Sequence, residues 1–280
     1  MTTTTNPLQQ FFRQPAIYVR LPSGGEFWTP GSLDIPQNGE LPVFPMTAID
    51  EITYRTPDAL FNGQAVVEVI QSCIPAIRNA WAIPSIDLNA ILVAIRIASY
   101  GHEMEIGTTC PNCATDADFS LDLRSVLDQL RAPDYTETLQ RGDLEISFHP
   151  MNYEQQNASN LEQFENQRLI RAVPVSELPD DQKIQQMTEI MKTVTRLTVK
   201  ALTASIASIR TPTALVTEPT HIQEFLENCD RNIFNAVRDH AVKLRSDTEL
   251  RPMALTCTNC SHQYEQALTL DMANFFAPAS

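Results

Sequence analysis

Two Cys-x-x-Cys pairs, Cys110-Pro111-Asn112-Cys113 and Cys257-Thr258-Asn259-Cys260, constrain this chain more than any other feature. Each is entered and left by residues that alternate apolar and polar, the pattern of a β-hairpin half buried on one face. Two such hairpins can present four thiolates to one tetrahedral Zn2+. The inner cysteines, Cys113 and Cys257, stand 144 positions apart. Closing a loop of that length costs roughly 4–5 kcal/mol by chain-length scaling. A structural zinc site supplies about 10–16 kcal/mol in small peptides at neutral pH, so one shared ion can offset the closure by itself. Four thiolates leave no position for water, and the expected zinc is therefore structural rather than hydrolytic.

Two alternatives stay open at this level: the pairs carry no metal, or they are redox dithiols. A redox Cys-x-x-Cys sits at a helix N-terminus after a strand, where the dipole lowers the thiol pKa. Here a strand follows each pair. His262, two residues past Cys260, is a further candidate ligand beside the plainer reading of a solvent-facing strand residue. Asn112 and Asn259 precede the second cysteine of each pair. Asparagine suits left-handed backbone, and neighbouring N–H groups can bond the sulfurs. Knuckles of this kind often place glycine after the second cysteine, where this chain has Ala114 and Ser261. The two segments otherwise read as copies of one unit, a pseudo-symmetric zinc ribbon.

The balance of 34 acidic against 20 basic residues, a formal net charge of −14, argues against nucleic acid and against anionic membranes, both of which need clustered Lys and Arg. Such a surface favours solubility and suits basic protein partners. The first residues lack a basic stretch followed by an apolar core, and no apolar run approaches the ~18–20 residues of a membrane span, so neither a secretory leader nor a span is expected. Six cysteines in 280 residues, four of them in close pairs, suit metal binding in a reducing cytosol better than a disulfide scaffold.

The expected fold class is α+β. Residues 1–50 form an extended N-terminal arm, with seven prolines, Gly24, Gly25, Gly31 and Gly39, and one strand near 16–21. Its Phe11, Phe12, Phe27, Trp28 and Phe44 pack either on their own body or along a neighbouring molecule. Residues 51–280 form the body. A helix opens at Thr56-Pro57-Asp58, turns Leu60, Val66, Val67, Ile70 and Cys73 inward and stops before Pro75. A second, Ile86 to Ser99, is apolar nearly all round and so buried. The zinc ribbon takes about 101–123 and 250–275. Between its hairpins lies a mostly helical insert, about 124–246. A strand covers Leu144–Phe148, and helices run from Asn152 to about Arg171, Asp180 to Ile209, Glu218 to Cys229 and Asp230 to Arg245. A short helix begins at Asp271.

Cys73 and Cys229 sit beside apolar residues at helix ends and read as packed thiols. His102, His149, His221 and His240 are scattered, and no phosphate loop, dinucleotide fingerprint or nucleophile elbow occurs. Catalysis is not expected.

Several segments together resemble the T4-like phage baseplate protein family. They are Arg20–Gly25 through Leu41–Thr47, Thr56–Ala65, Ile86–Leu88 through Tyr100–Gly101, both cysteine pairs, and Phe148–Tyr153, covering about residues 16–275. The resemblance implies a non-enzymatic part in the baseplate of a contractile phage tail, at the hub or in its assembly. It implies a virion protein made in the host cytoplasm, held among other baseplate and tail proteins in a symmetric assembly. Two rival readings are a transient assembly factor and a zinc-ribbon nucleic-acid binder. Asp116, Asp118, Asp122 and Glu265 near the knuckles oppose the latter.

Overall fold

The structure, a computed structural model, describes residues 6–55, 63–175, 179–246, 248 and 250–268. The helix start at Thr56-Pro57-Asp58, Leu60, the break at 176–178 and the helix from Asp271 lie outside these residues. The chain divides into two compact units. The first comprises Met1–Ala80, Asp87–Leu130 and Leu250–Ser280, and the second Trp81–Ile86 and Arg131–Glu249.

In the first unit, strand β1 (Ile17–Arg20) pairs antiparallel with β2 (Glu40–Val43), Ile17 opposite Val43. Alternation places Val19, Leu41 and Val43 in the interior. Two polar hubs, one part-buried and one buried, fasten the Pro- and Gly-rich stretch to its own chain. The Arg13 guanidinium donates to the carbonyls of Pro45 (2.6 Å) and Ser72 (2.7 Å) and pairs with Asp50 at 3.2 Å. The fully buried Asp87 carboxylate accepts from the Ser23 N–H (2.9 Å), the Ser23 hydroxyl and the Trp28 indole N–H (2.8 Å). Burial pushes the Asp87 pKa up, against the pull of those three donors. Gly25, at φ +93, takes a backbone conformation that side-chain-bearing residues rarely adopt. Residues 13–47 thus pack on their own chain, while Leu8, Phe11 and Phe12 on the 3-10 turn Pro7–Phe11 and just past it are exposed.

Helix α1 (Ala48–Tyr54) opens with a Thr47–Asp50 capping box. Helix α2 (Gln64–Cys73) buries Val66, Val67, Ile70 and Cys73, the face its spacing predicts. Helix α3 (Ser85–Tyr100) is buried nearly all round from Ile86 to Arg96. The first knuckle follows as the hairpin β3 (Glu103–Thr109) and β4 (Asp116–Asp122), in register from Glu103↔Asp122 to Thr109↔Asp116. Asp122 then caps α4 (Leu123–Gln129).

The second unit is mostly helical, with more β structure than the one strand expected. It holds a four-stranded antiparallel sheet of β5 (Leu139–Arg141), β6 (Leu144–Phe148), β7 (Ile206–Arg210) and β8 (Leu215–Val216), in that order. Around it are α5 (Tyr153–Val175), α6 (Asp180–Thr203), α7 (Pro219–Asn228) and α8 (Arg231–Ser246). The Asn152 side chain accepts from the Gln155 N–H, and Gln155 returns the bond, so α5 begins with the expected cap. The core joins Ile146, Phe148, Val199, Leu202, Ile206, Ile209, Ile222, Leu226, Val237 and Leu244.

The helix expected to reach Ile209 ends at Thr203. The Ser205 hydroxyl donates to the Leu202 carbonyl at 2.8 Å, and the chain then turns into β7. Ile206 and Ile209, three apart, continue a helical stripe; in a regular strand they would face opposite sides. A bulge resolves this: Ile209 pairs with Ile146 and Ser208 with Ser147, but Phe148 pairs with Ile206, leaving Ala207 extra. Both isoleucines are consequently buried.

Candidate metal centre

The second knuckle is the hairpin β9 (Met253–Thr256) and β10 (Gln263–Gln266), with Gln263 opposite Thr256. It is a two-stranded sheet of its own, as is β3–β4. The Thr108 and Tyr264 hydroxyls, 2.6 Å apart, link the two hairpins within the first unit.

The knuckle turns are built alike. In the first, the Cys110 N–H donates to the Thr115 carbonyl (2.9 Å) and the Ala114 N–H to the Cys110 carbonyl (2.9 Å). In the second, the Cys257 N–H donates to the His262 carbonyl (2.9 Å) and the Ser261 N–H to the Cys257 carbonyl (3.0 Å). Ala114 lies at φ 55 and Ser261 at φ 58. The left-handed residue is therefore the one after the second cysteine, not Asn112 or Asn259. A side chain there costs about 1–2 kcal/mol, and the turn is nonetheless kept in both copies.

The turns bring Cys110, Cys113, Cys257 and Cys260 together, with all four sulfurs within 4.8 Å of one another. Cys110 Sγ lies 3.7 Å from Cys260 Sγ, and Cys113 Sγ 3.6 Å from Cys257 Sγ. Zn–S bonds of about 2.3 Å in a tetrahedron put sulfurs about 3.8 Å apart, so the donor set fits such an ion. Cys110 and Cys257 are buried, and Cys113 and Cys260 are half-buried. All four are free thiols.

The surrounding polar groups favour thiolate. The Asn112 amide donates to Cys260 Sγ at 3.5 Å, and the Asn259 amide to Cys113 Sγ at 3.7 Å, each reaching across to the other knuckle. Thr115 Oγ1 lies 3.2 Å from Cys113 Sγ and accepts from the Asn259 amide at 3.1 Å. The Thr115 hydroxyl and backbone hold the Cys113 thiol down to about 6, and the Asn112 amide lowers that of Cys260. Burial pushes Cys110 up to about 11. Amide-to-sulfur bonds of this kind orient ligands and spread their charge. His262 is not among the converging donors; its ring lies near-parallel to Tyr264, with centroids 6.4 Å apart.

The sequence reading anticipated the four cysteines and missed Thr115 and Tyr264. The signal for Thr115 was its place two residues past Cys113, which His262 occupies in the other copy. Cys73 and Cys229 lie outside the cluster. Burial raises both thiols, Cys73 to about 12, with Asp50 and Asp230 respectively adding to the effect. That is the reverse of an activated nucleophile.

Residues 46–277 match the family model described as T4 bacteriophage base plate protein, which is most of the chain. The chain belongs to that family. The matched span of this baseplate-family protein takes in both knuckles and the whole second unit, and begins after β1 and β2. No match was found among curated proteins or among solved structures. A baseplate family associates with other tail proteins in the virion tail. Among the described residues, no helix is long and apolar enough to cross a membrane.

Proposed function

We propose that this chain is a structural, non-catalytic component of a contractile-tail baseplate, at or beside the hub, stapled by one Zn2+ on Cys110, Cys113, Cys257 and Cys260. The observation that carries the reading is the convergence of four cysteine sulfurs within 4.8 Å of one another in a baseplate-family chain. Two half-exposed thiols, an amide donated to each pair and full cysteine ligation are the features of a structural ion, with no position left for substrate. Held this way, the two hairpins form a zinc ribbon that fixes the first unit. The exposed Leu8, Phe11 and Phe12 before the packed segment supply a surface for neighbouring tail proteins.

Quantitative mass spectrometry of purified virions tests the role. Peptides of this chain at a fixed ratio to known tail proteins are expected. Presence in tail intermediates with loss from finished particles would instead make it a transient assembly factor. Salt-dependent DNA binding by the purified protein at physiological ionic strength would favour the nucleic-acid reading.

A further inference from the structure

Helix α6 carries a seam at Ile184, Thr188, Met191, Thr195, Val199 and Leu202, spaced by three or four residues, so that these side chains share one helix face. The C-terminal half of the seam is covered: Val199 and Leu202 are buried in the core with Ile222 and Leu226 of α7. The N-terminal half is bare. Ile184 is 66% exposed and Met191 46%.

The threonines of this half, like Thr193, Thr198 and Thr203 elsewhere on the helix, bond their hydroxyls to the carbonyl one turn back. The Thr188 hydroxyl donates to the Ile184 carbonyl at 2.8 Å, and the Thr195 hydroxyl to the Met191 carbonyl at 3.0 Å. Their methyl groups can therefore be covered without stranding a donor, removing the usual cost of burying a hydroxyl.

Charge points to the occupant. The chain carries −14, so most faces of one copy repel most faces of another. Helices α5 and α6 together hold six acidic and six basic residues, which leaves this pair neutral. The arrangement along α6 is also self-complementary. Asp181 precedes Ile184 by about one turn, and Lys192 adjoins Met191. Lys192 meets Glu189 of its own helix at 2.8 Å, but that exposed pair is worth little and leaves the ammonium open to a second carboxylate.

We propose that the bare half-seam is a homodimer interface, in which α6 of two copies packs antiparallel across a two-fold axis near Thr188. Ile184 of each copy then lies against Met191 of the other, and Asp181 approaches Lys192. One patch meets itself, as a two-fold contact requires. The contact lies wholly on the helix pair of the second unit, so it needs neither the metal nor the baseplate role.

Sedimentation equilibrium of the full chain, purified without chelator, tests it beside an Ile184→Glu/Met191→Glu double variant. The natural chain is expected to show a monomer–dimer equilibrium. The double variant, with unchanged circular dichroism, is expected to dimerise at least about a hundredfold more weakly. Thr188→Cys under mild oxidation should give a covalent dimer through residue 188, reporting the arrangement even if the double variant folds poorly. A natural chain that stays monomeric at its highest soluble concentration would overturn the proposal. So would a well-folded double variant that dimerises as the natural chain does, or a Thr188→Cys chain that forms no cross-link.

Discussion

At the residue scale, the metal centre depends on two positions where the local backbone preference is overruled. Ala114 and Ser261 adopt left-handed φ because the turn must return each chain to its second strand while aiming two sulfurs inward. Glycine relieves the Cβ clash but adds unfolded-state freedom. Ala114→Gly should therefore raise stability by about 0.5–1 kcal/mol, read from the denaturant midpoint of the metal-loaded protein. Ala114→Val should lower both that midpoint and metal affinity, since a branched side chain tolerates this region worst. Equal midpoints in all three chains would show that the turn is not strained. The cysteines themselves are legible in the sequence, because ligand type and x2 spacing are local facts. Asparagine's backbone tolerance points to Asn112 and Asn259 as left-handed sites, but their side chains instead serve the sulfurs of the opposite knuckle. Which neighbour a side-chain amide reaches depends on tertiary placement, and so does the Thr108–Tyr264 contact.

At the element scale, the sequence reading succeeded where one physical signal dominated. The all-round apolarity of α3 declared burial, and Asp230, whose side chain accepts from the Asn232 and Ile233 N–H groups, declared the start of α8. It erred where two periodicities coincide. Leu202, Ile206 and Ile209 suit a helix as well as they suit a helix end followed by a bulged strand, and pairing with β6 decides between them. Short strands such as β5 and β8 carry too few residues for alternation to register. Inserting one residue between Ser147 and Phe148 gives Ala207 a partner, removes the bulge and puts Ile206 on the opposite face of β7 from Ile209. Losing a buried isoleucine in this way should cost about 2–5 kcal/mol, measured by thermal or denaturant unfolding. An insertion variant of unchanged stability would show that the bulge does not set the register.

At the scale of the whole molecule, residues far apart in the chain build one unit: Thr108 meets Tyr264 across 156 positions, and Cys110 meets Cys260 across 150. The segment 13–47 belongs to the same unit through Arg13 and Asp87, which composition alone could not reveal: prolines and glycines mark irregular chain but not what it rests against. Truncation after residue 12 should leave melting behaviour within about 1 kcal/mol of the full chain, as expected for exposed residues away from buried contacts. It should also lower incorporation into baseplates, scored by the yield of complete tails. Normal incorporation would remove the exposed Leu8, Phe11 and Phe12 from the contact surface.

The most direct measurement is elemental analysis of native protein together with thiol accessibility, before and after chelation. One zinc per chain is predicted, with Cys110, Cys113, Cys257 and Cys260 shielded from alkylation until the ion is stripped and the first unit loosens. Metal-free native protein whose four thiols react at once, with unfolding unchanged by chelator, would contradict the account.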